Sequence, residues 1–191
     1  MKNLTAANQL TILRMMLIPA FVILLMYGYR GWALMTFFTA GVTDMLDGLI
    51  ARSAGQQTEL GAWLDPMADK LLLVTMFIVL TLPGIGSANQ LPLWFTILVI
   101  SRDVAIVATV AVFNMAVGPR TFRPSIWGKL ATATFILTGV ITLYFNYLEE
   151  RSEIVTLFIY ASLLITVISA AHYLLQMVRL TRSSHPASTN S

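Results

Sequence analysis

The sequence predicts an all-α integral membrane protein in which six transmembrane helices form one bundle. Three observations support this fold class. The chain of 191 residues is 57% hydrophobic and only 11% charged, and its mean hydropathy is +0.77. Apolar runs recur at about the 20 residues that a helix needs to cross a bilayer. Short segments rich in Gly, Pro or charged residues separate these runs and mark turns.

The predicted spans follow one another with short connections, at positions 10–29, 32–51, 65–83, 92–113, 129–148 and 154–177. We expect the first to be a span and not a cleaved signal peptide, because it is long, contains Arg14 near its start and leads directly into the turn around Gly28. Turn chemistry also marks residues 82–90 and the charged segment 149–153. We expect one membrane domain over residues 1–180 and a polar, disordered tail over residues 181–191.

The positive charges predict the orientation of the bundle. Six spans place both termini on one side, and that side carries Lys2, Arg14, Arg52, Arg120, Arg123, Lys129, Arg179 and Arg182. The opposite side carries Arg30 and Arg151. The positive-inside rule therefore places both termini in the cytoplasm, with the chain in a bacterial inner or cell membrane. The chain has no cysteine, which excludes disulfides and thiolate metal sites.

Four carboxylates stand out in this apolar chain, at the cytoplasmic ends of the second and third predicted spans. Asp44 and Asp47 are three residues apart, and Asp65 and Asp69 are four apart, so each pair lies on one face of its helix. Carboxylates near a bilayer are costly and usually mark a functional site. Four of them together need cations, and an all-oxygen ligand set suits Mg²⁺ or Mn²⁺.

The wider pattern from Asp44 to Asp69 reads D-x2-D-G-x2-A-R-x8-G-x3-D-x3-D. It resembles the signature of the CDP-alcohol phosphotransferase family at every specified position. The segment Asn8-Gln9-Leu10-Thr11-Ile12-Leu13-Arg14, followed by Pro19, is also similar to the first helix of the phosphatidyltransferases in this family. The resemblance covers most of the chain.

The resemblance implies an enzyme that moves the phosphatidyl group of CDP-diacylglycerol to an alcohol hydroxyl and releases CMP. It implies that Asp44, Asp47 and Asp65 share two Mg²⁺ or Mn²⁺ ions, and that Asp69 is both a ligand and the general base. Binding of the CDP donor is expected at Asn8, Gly48, Ala51, Arg52, Thr58 and Gly61. Tight helix packing is the alternative for the small residues, and anchoring at the membrane interface is the alternative for Arg52. The family also suggests a homodimer.

A second group of charges could bind the acceptor. Arg102 and Asp103 fall in the middle of the fourth predicted span, whereas Arg120, Arg123 and Lys129 flank the cytoplasmic end of the fifth. Arginine suits bidentate binding of phosphate. The alternatives are an ion pair within the bundle for Arg102, and the positive-inside rule or contact with anionic lipid headgroups for the others.

The identity of the acceptor depends on finer resemblance. Residues 64–70 and the first span are similar to the branch that contains the phosphatidylglycerophosphate synthases and the CDP-diacylglycerol-using cardiolipin synthases. The triplet Ser101-Arg102-Asp103 is similar to the cardiolipin synthases, whereas the glycerophosphate enzymes more often have Arg-Glu-Ile there. We therefore expect phosphatidylglycerol as the acceptor, with glycerol 3-phosphate as the alternative.

A protein of another class remains an alternative: a non-catalytic cation-binding membrane protein or a small transporter. Transporters often show paired repeats and broken helices, and neither is visible in the sequence. Carboxylates at the cytoplasmic ends of spans suit a nucleotide-linked substrate better than a permeation path. We expect no nucleic-acid partner.

Overall fold

A computed structural model describes the backbone of residues 6–54, 59–85, 88–117 and 126–183. Side chains are described for residues 11–43, 67–68, 70–85, 88–109, 115 and 126–173. Over this part of the chain the structure has six α-helices and no strand, which confirms the predicted all-α class. The helices are α1 (Ala6–Met26), α2 (Arg30–Ala54), α3 (Glu59–Thr81), α4 (Leu93–Val117), α5 (Ile126–Tyr147) and α6 (Glu153–Ser183).

The turns lie where the sequence predicts them, but most helix ends differ from the predicted bounds, and two of them differ by six residues. Gly28 and Gly84 have φ values of 79° and 94°, a backbone conformation that glycine adopts without steric cost. Helix α3 begins at Glu59 instead of residue 65, so Pro66 lies inside the helix and cannot be its first residue. Helix α6 continues to Ser183, so the first three residues of the predicted tail are helical.

The chain divides into two compact units. The first comprises Met1–Ile100 and Gly139–Ser152, and the second comprises Ser101–Thr138 and Glu153–Ser191. Within the first unit α1 packs against both α2 and α3. The rings of Phe21 and Phe37, which are buried in the α1–α2 contact, have centroids 5.8 Å apart. This aromatic pair fixes the level at which the two antiparallel helices face each other.

A buried amide network ties the loop after α3 to the end of α5 within the first unit. The Asn146 side-chain oxygen accepts hydrogen bonds from the backbone N–H of Asn89 at 2.7 Å and from its side-chain nitrogen at 3.2 Å. The Asn146 amide donates in return to the Asn89 carbonyl at 3.0 Å. Asn89 also donates to the carbonyl of Glu150 and accepts from the backbone N–H of Ser152. Side-chain hydrogen bonds therefore satisfy the backbone groups of this loop, which has no regular secondary structure.

The first unit also contains a close approach between α3 and α5. A Cβ atom placed on Gly139 would overlap the terminal methyl and sulfur of Met76. Met76 is completely buried. A glycine at position 139 therefore lets the Met76 side chain fill the space beside the α5 backbone, as small residues do where helices pack closely.

In the second unit the buried face of α6 includes polar residues, and its outer face is apolar. Ser162, Thr166 and Ser169 are buried, and the Ser162 hydroxyl is 2.9 Å from the hydroxyl of Thr138 on α5. The apolar side chains of Leu157, Leu164 and Val167 are instead exposed. Val155 and Ile159 are buried beside the polar residues, so apolar side chains occupy both faces, unlike the single apolar face of a water-soluble helix.

Two helices in the described part are long and apolar enough to cross a membrane. They are Ile126–Tyr147 and the portion Glu153–Tyr173 of α6, whereas Thr11–Met26 and Lys70–Thr81 are shorter apolar stretches. The prediction that all six helices span the membrane is therefore supported by length and composition for two of them.

Candidate active site

The backbone places the four motif positions on two helices joined by a four-residue link, residues 55–58. Asp44 and Asp47 lie about 15 Å and about 10 Å before the end of α2, given the helical rise of 1.5 Å per residue. Asp65 and Asp69 lie about 9 Å and about 15 Å after the start of α3. The two pairs therefore occupy the same two depths, measured from the link.

The side chains of most predicted donor-site and metal-site residues lie outside the described part. This holds for Asn8, Asp44, Asp47, Gly48, Ala51, Arg52, Gly61, Asp65 and Asp69, whose backbones are helical. Thr58, Arg120 and Arg123 lie outside the described residues altogether. Among the side chains that the structure describes, no three His, Cys, Asp or Glu residues form a group that could hold a metal ion. The predicted metal site therefore rests on the backbone positions and the donor chemistry.

Helix α1 contributes a buried face that contains two polar residues to the same unit. Thr11, Arg14, Phe21 and Leu25 are buried, at spacings of three, seven and four residues that keep them on one side of the helix. Arg14 is 0% exposed, which makes it the largest fully buried side chain among the described residues. The sequence predicts Arg14 as a positive charge near the cytoplasm and as part of the segment that resembles the family's first helix, and gives it no role in the site. Its position on the buried face, seven residues before Phe21, is the signal that distinguishes it.

Arg102 is bound to its own neighbourhood in the second unit. One of its terminal nitrogens donates to Asp103 at 2.8 Å and to the Thr132 hydroxyl at 3.3 Å, and the other donates to the Gly128 carbonyl at 2.8 Å. The side chains of Arg102 and Asp103 are 13% and 21% exposed. Of the two interpretations left open by the sequence, the ion pair accounts for these contacts. The guanidinium links α4 to the first turns of α5.

The other described cation of the acceptor group differs from Arg102. Lys129 lies in the first turn of α5 and is exposed. Arg30, which the charge pattern places on the opposite side of the membrane, pairs with Glu149. Acceptor binding by Arg102 and Lys129 stays a prediction, and the exposed amine of Lys129 is the more accessible of the two.

Comparison with known proteins identifies the family. The profile described as CDP-alcohol phosphatidyltransferase matches residues 4–171, which is most of the chain. The chain belongs to this family, and the assignment predicted from the aspartate pattern is confirmed.

Two relatives carry names from the glycerophosphate branch. A Mycobacterium tuberculosis protein named probable phosphatidylglycerophosphate synthase is 36% identical over 183 residues, covering 91% of this chain and 81% of the relative. A Haemophilus influenzae CDP-diacylglycerol–glycerol-3-phosphate 3-phosphatidyltransferase is 35% identical over 174 residues, covering 86% of this chain and 89% of the relative. The human cardiolipin synthase (CMP-forming) is 32% identical over 165 residues, but these cover 76% of this chain and only 53% of the relative.

Proposed function

We propose that this protein is a phosphatidyltransferase that moves the phosphatidyl group of CDP-diacylglycerol to the hydroxyl of an alcohol and releases CMP. The family match over residues 4–171, in a chain that has the complete aspartate pattern, is the observation that carries the proposal. The matched depths of the pairs Asp44/Asp47 and Asp65/Asp69 support it, because they allow four carboxylates to act on one pyrophosphate.

The donor set fits divalent metal ions. Carboxylates at i, i+3 on α2 and at i, i+4 on α3 provide only oxygen ligands, which hard cations such as Mg²⁺ and Mn²⁺ prefer. We assign Asp44, Asp47, Asp65 and Asp69 as the ligands of two such ions. When bound, the ions would neutralise the pyrophosphate oxygens and stabilise the departing CMP.

The protein groups supply the remaining chemistry. Asp69 accepts the proton of the acceptor hydroxyl as that oxygen forms its bond to the phosphatidyl phosphorus. The bond between this phosphorus and the oxygen bridging to CMP breaks, and CMP leaves with the electron pair. Gly48 and Ala51 let the nucleotide approach the α2 backbone, and Arg52 offers a guanidinium to the pyrophosphate. Asn8, Thr58 and Gly61 complete the proposed donor site.

The proposed location is a membrane, with six spans, both termini and the active site on the cytoplasmic side. The exposed apolar and buried polar residues of α6 support an apolar surrounding. The positive charges near the predicted cytoplasmic ends support the orientation. A homodimer remains the expectation from the family resemblance.

For the acceptor we propose glycerol 3-phosphate, which makes the protein a phosphatidylglycerophosphate synthase. The support is the high mutual coverage of the two relatives with names from that branch. This changes the preference for phosphatidylglycerol that the triplet Ser101-Arg102-Asp103 suggested. Phosphatidylglycerol stays the second candidate because Asp103 pairs with Arg102, and a neutralised guanidinium suits a dianionic acceptor less well.

The test is a CMP-release assay on purified protein in detergent. CDP-diacylglycerol and Mg²⁺ are supplied with glycerol 3-phosphate or with phosphatidylglycerol at equal concentration. We expect CMP and phosphatidylglycerophosphate with the first acceptor and much slower release with the second. The reverse preference would assign cardiolipin synthesis, and absence of CMP release with any alcohol would refute the phosphatidyltransferase proposal.

A further inference from the structure

The buried arginine of α1 requires an anionic partner. Arg14 is completely enclosed on the face of α1 that packs against its neighbours. An enclosed guanidinium is strongly destabilising unless a carboxylate compensates its charge. The unit that contains α1 offers several carboxylates that could compensate it.

That unit has seven acidic residues, and position excludes two of them. Glu149 and Glu150 follow α5 and lie near Arg30, since Glu149 pairs with that residue at the start of α2. Arg14 is 12 residues before the end of α1, which corresponds to about 18 Å along the helix. The candidates that remain are Glu59 and the four motif aspartates, which are Asp44, Asp47, Asp65 and Asp69.

The level of the α1–α2 contact favours Asp44 over Asp47 on α2, and the seven-residue step from Phe37 puts position 44 on the α2 face that packs against α1. The rings of Phe21 and Phe37 meet across the two antiparallel helices at 5.8 Å. Arg14 lies seven residues before Phe21, and Asp44 lies seven residues after Phe37. Seven residues are nearly two full helical turns, so Arg14 lies on the same face of α1 as Phe21, and position 44 lies on the same face of α2 as Phe37. Because the two helices are antiparallel, both residues lie about 10 Å from the aromatic pair in the same direction. Position 44 of α2 therefore faces α1 at the level of Arg14.

We infer that Arg14 is the positioning residue of the aspartate cluster, with its guanidinium paired to the Asp44 carboxylate. The pair would fix the orientation of Asp44 and compensate part of the cluster's negative charge before a cation binds. The structural part of this inference is independent of the reaction, whereas its catalytic consequence rests on the proposed function. Groups that orient a metal ligand typically contribute 10- to 100-fold to metal affinity or activity.

The experiment is a thermal unfolding cycle on the full-length protein in detergent with excess EDTA. Without metal, Arg14 is the cation that the inference assigns to Asp44. Arg14→Met should lower the melting temperature by about 6 °C or more. In a protein that already carries Asp44→Asn, adding Arg14→Met should lower the melting temperature by less than half as much as it does in the wild-type protein, because the partner charge is already gone.

The same substitution in a second aspartate variant serves as the control that identifies the partner. Combined with Asp69→Asn on α3, Arg14→Met should lower the melting temperature by nearly its full amount. An equal decrease in all backgrounds would show that Arg14 only fills space, and coupling to Asp69 instead of Asp44 would overturn the assignment. If Arg14→Met alone does not fold, the variant that also carries Asp44→Asn should be recovered folded, and its failure would equally overturn the pairing.

A second measurement tests the catalytic consequence. Arg14→Met should release CMP about 10- to 100-fold more slowly at a fixed Mg²⁺ concentration, or should require a Mg²⁺ concentration higher by the same factor. Arg14→Lys, which keeps the charge, should recover part of this loss. Unchanged Mg²⁺ dependence in Arg14→Met would remove the positioning role. If the wild-type protein releases no CMP, the proposed function fails, but the unfolding cycle still decides the ion pair.

Discussion

Replacing Asn146 by alanine should destabilise the protein without impairing its chemistry. Asn146 makes three hydrogen bonds to Asn89, two of them to the backbone N–H and C=O of that residue. Asn146 and Asn89 are 1% and 6% exposed, so water does not readily replace the lost partner. The alanine variant leaves two buried backbone groups unsatisfied, each at a cost of about 1–3 kcal/mol.

The expected loss in the free energy of unfolding is therefore about 2–6 kcal/mol. The Asn89 contacts to Glu150 and Ser152 should keep the loop in place, so we expect a value in the lower half of this range. The measurement is reversible unfolding in mixed micelles, compared with Tyr144→Phe as a control. Tyr144 is 49% exposed on the same helix, so its change should stay within about 0.5 kcal/mol. CMP release per folded molecule should be unchanged at a temperature where both proteins are folded. A loss below about 1 kcal/mol in Asn146→Ala would refute the idea that these hydrogen bonds hold the loop.

The other predictions concern the reaction. Asp47→Asn and Asp65→Asn should each abolish CMP release in folded protein, as should EDTA, with activity restored by Mg²⁺ or Mn²⁺; near-normal turnover in either variant contradicts the shared-ligand assignment. Asp69→Asn should lower turnover by at least ~10²–10⁴-fold, while CDP-diacylglycerol binding at saturating Mg²⁺ is largely kept; a loss of binding as severe as that of Asp47→Asn would leave the base role unsupported. Arg102→Lys, which cannot reproduce the three contacts of the guanidinium, should lower the melting temperature by several degrees. A tenfold rise in the KM for the acceptor would support Arg102 as an acceptor ligand, whereas a change below about threefold would leave it only the ion-pair role.

The sequence predicted the number, order and approximate bounds of the described helices because apolar runs and turn residues are local signals. Gly28 and Gly84 show this directly, since both turns need a positive φ. The start of α3 was placed six residues late. The segment from Glu59 to Leu64 begins with a charged residue and contains Gly61, which has a low helix propensity, so these local signals did not include it in the span, although its backbone is helical.

Some features of the candidate site could be predicted from the sequence, and others could not. The aspartate pattern identifies the family from residue types and spacing alone, and the family match confirms it. The burial of Arg14 was not predictable, because a single arginine near a helix start fits the positive-inside rule whichever face it occupies. The contacts of Arg102 with Gly128 and Thr132 depend on how two helices pack, which no spacing within one helix determines.

The contact between Gly139 and Met76 has a consequence for how this sequence can diverge. Because a Cβ on position 139 would overlap the end of the Met76 side chain, an alanine there requires that side chain to move or position 76 to become smaller. A smaller residue at position 76 alone would leave a void at a completely buried site. An alanine at position 139 together with a smaller residue at position 76 avoids both the overlap and the void. We expect the two positions to vary as a pair among related proteins, with glycine accompanying the long side chain.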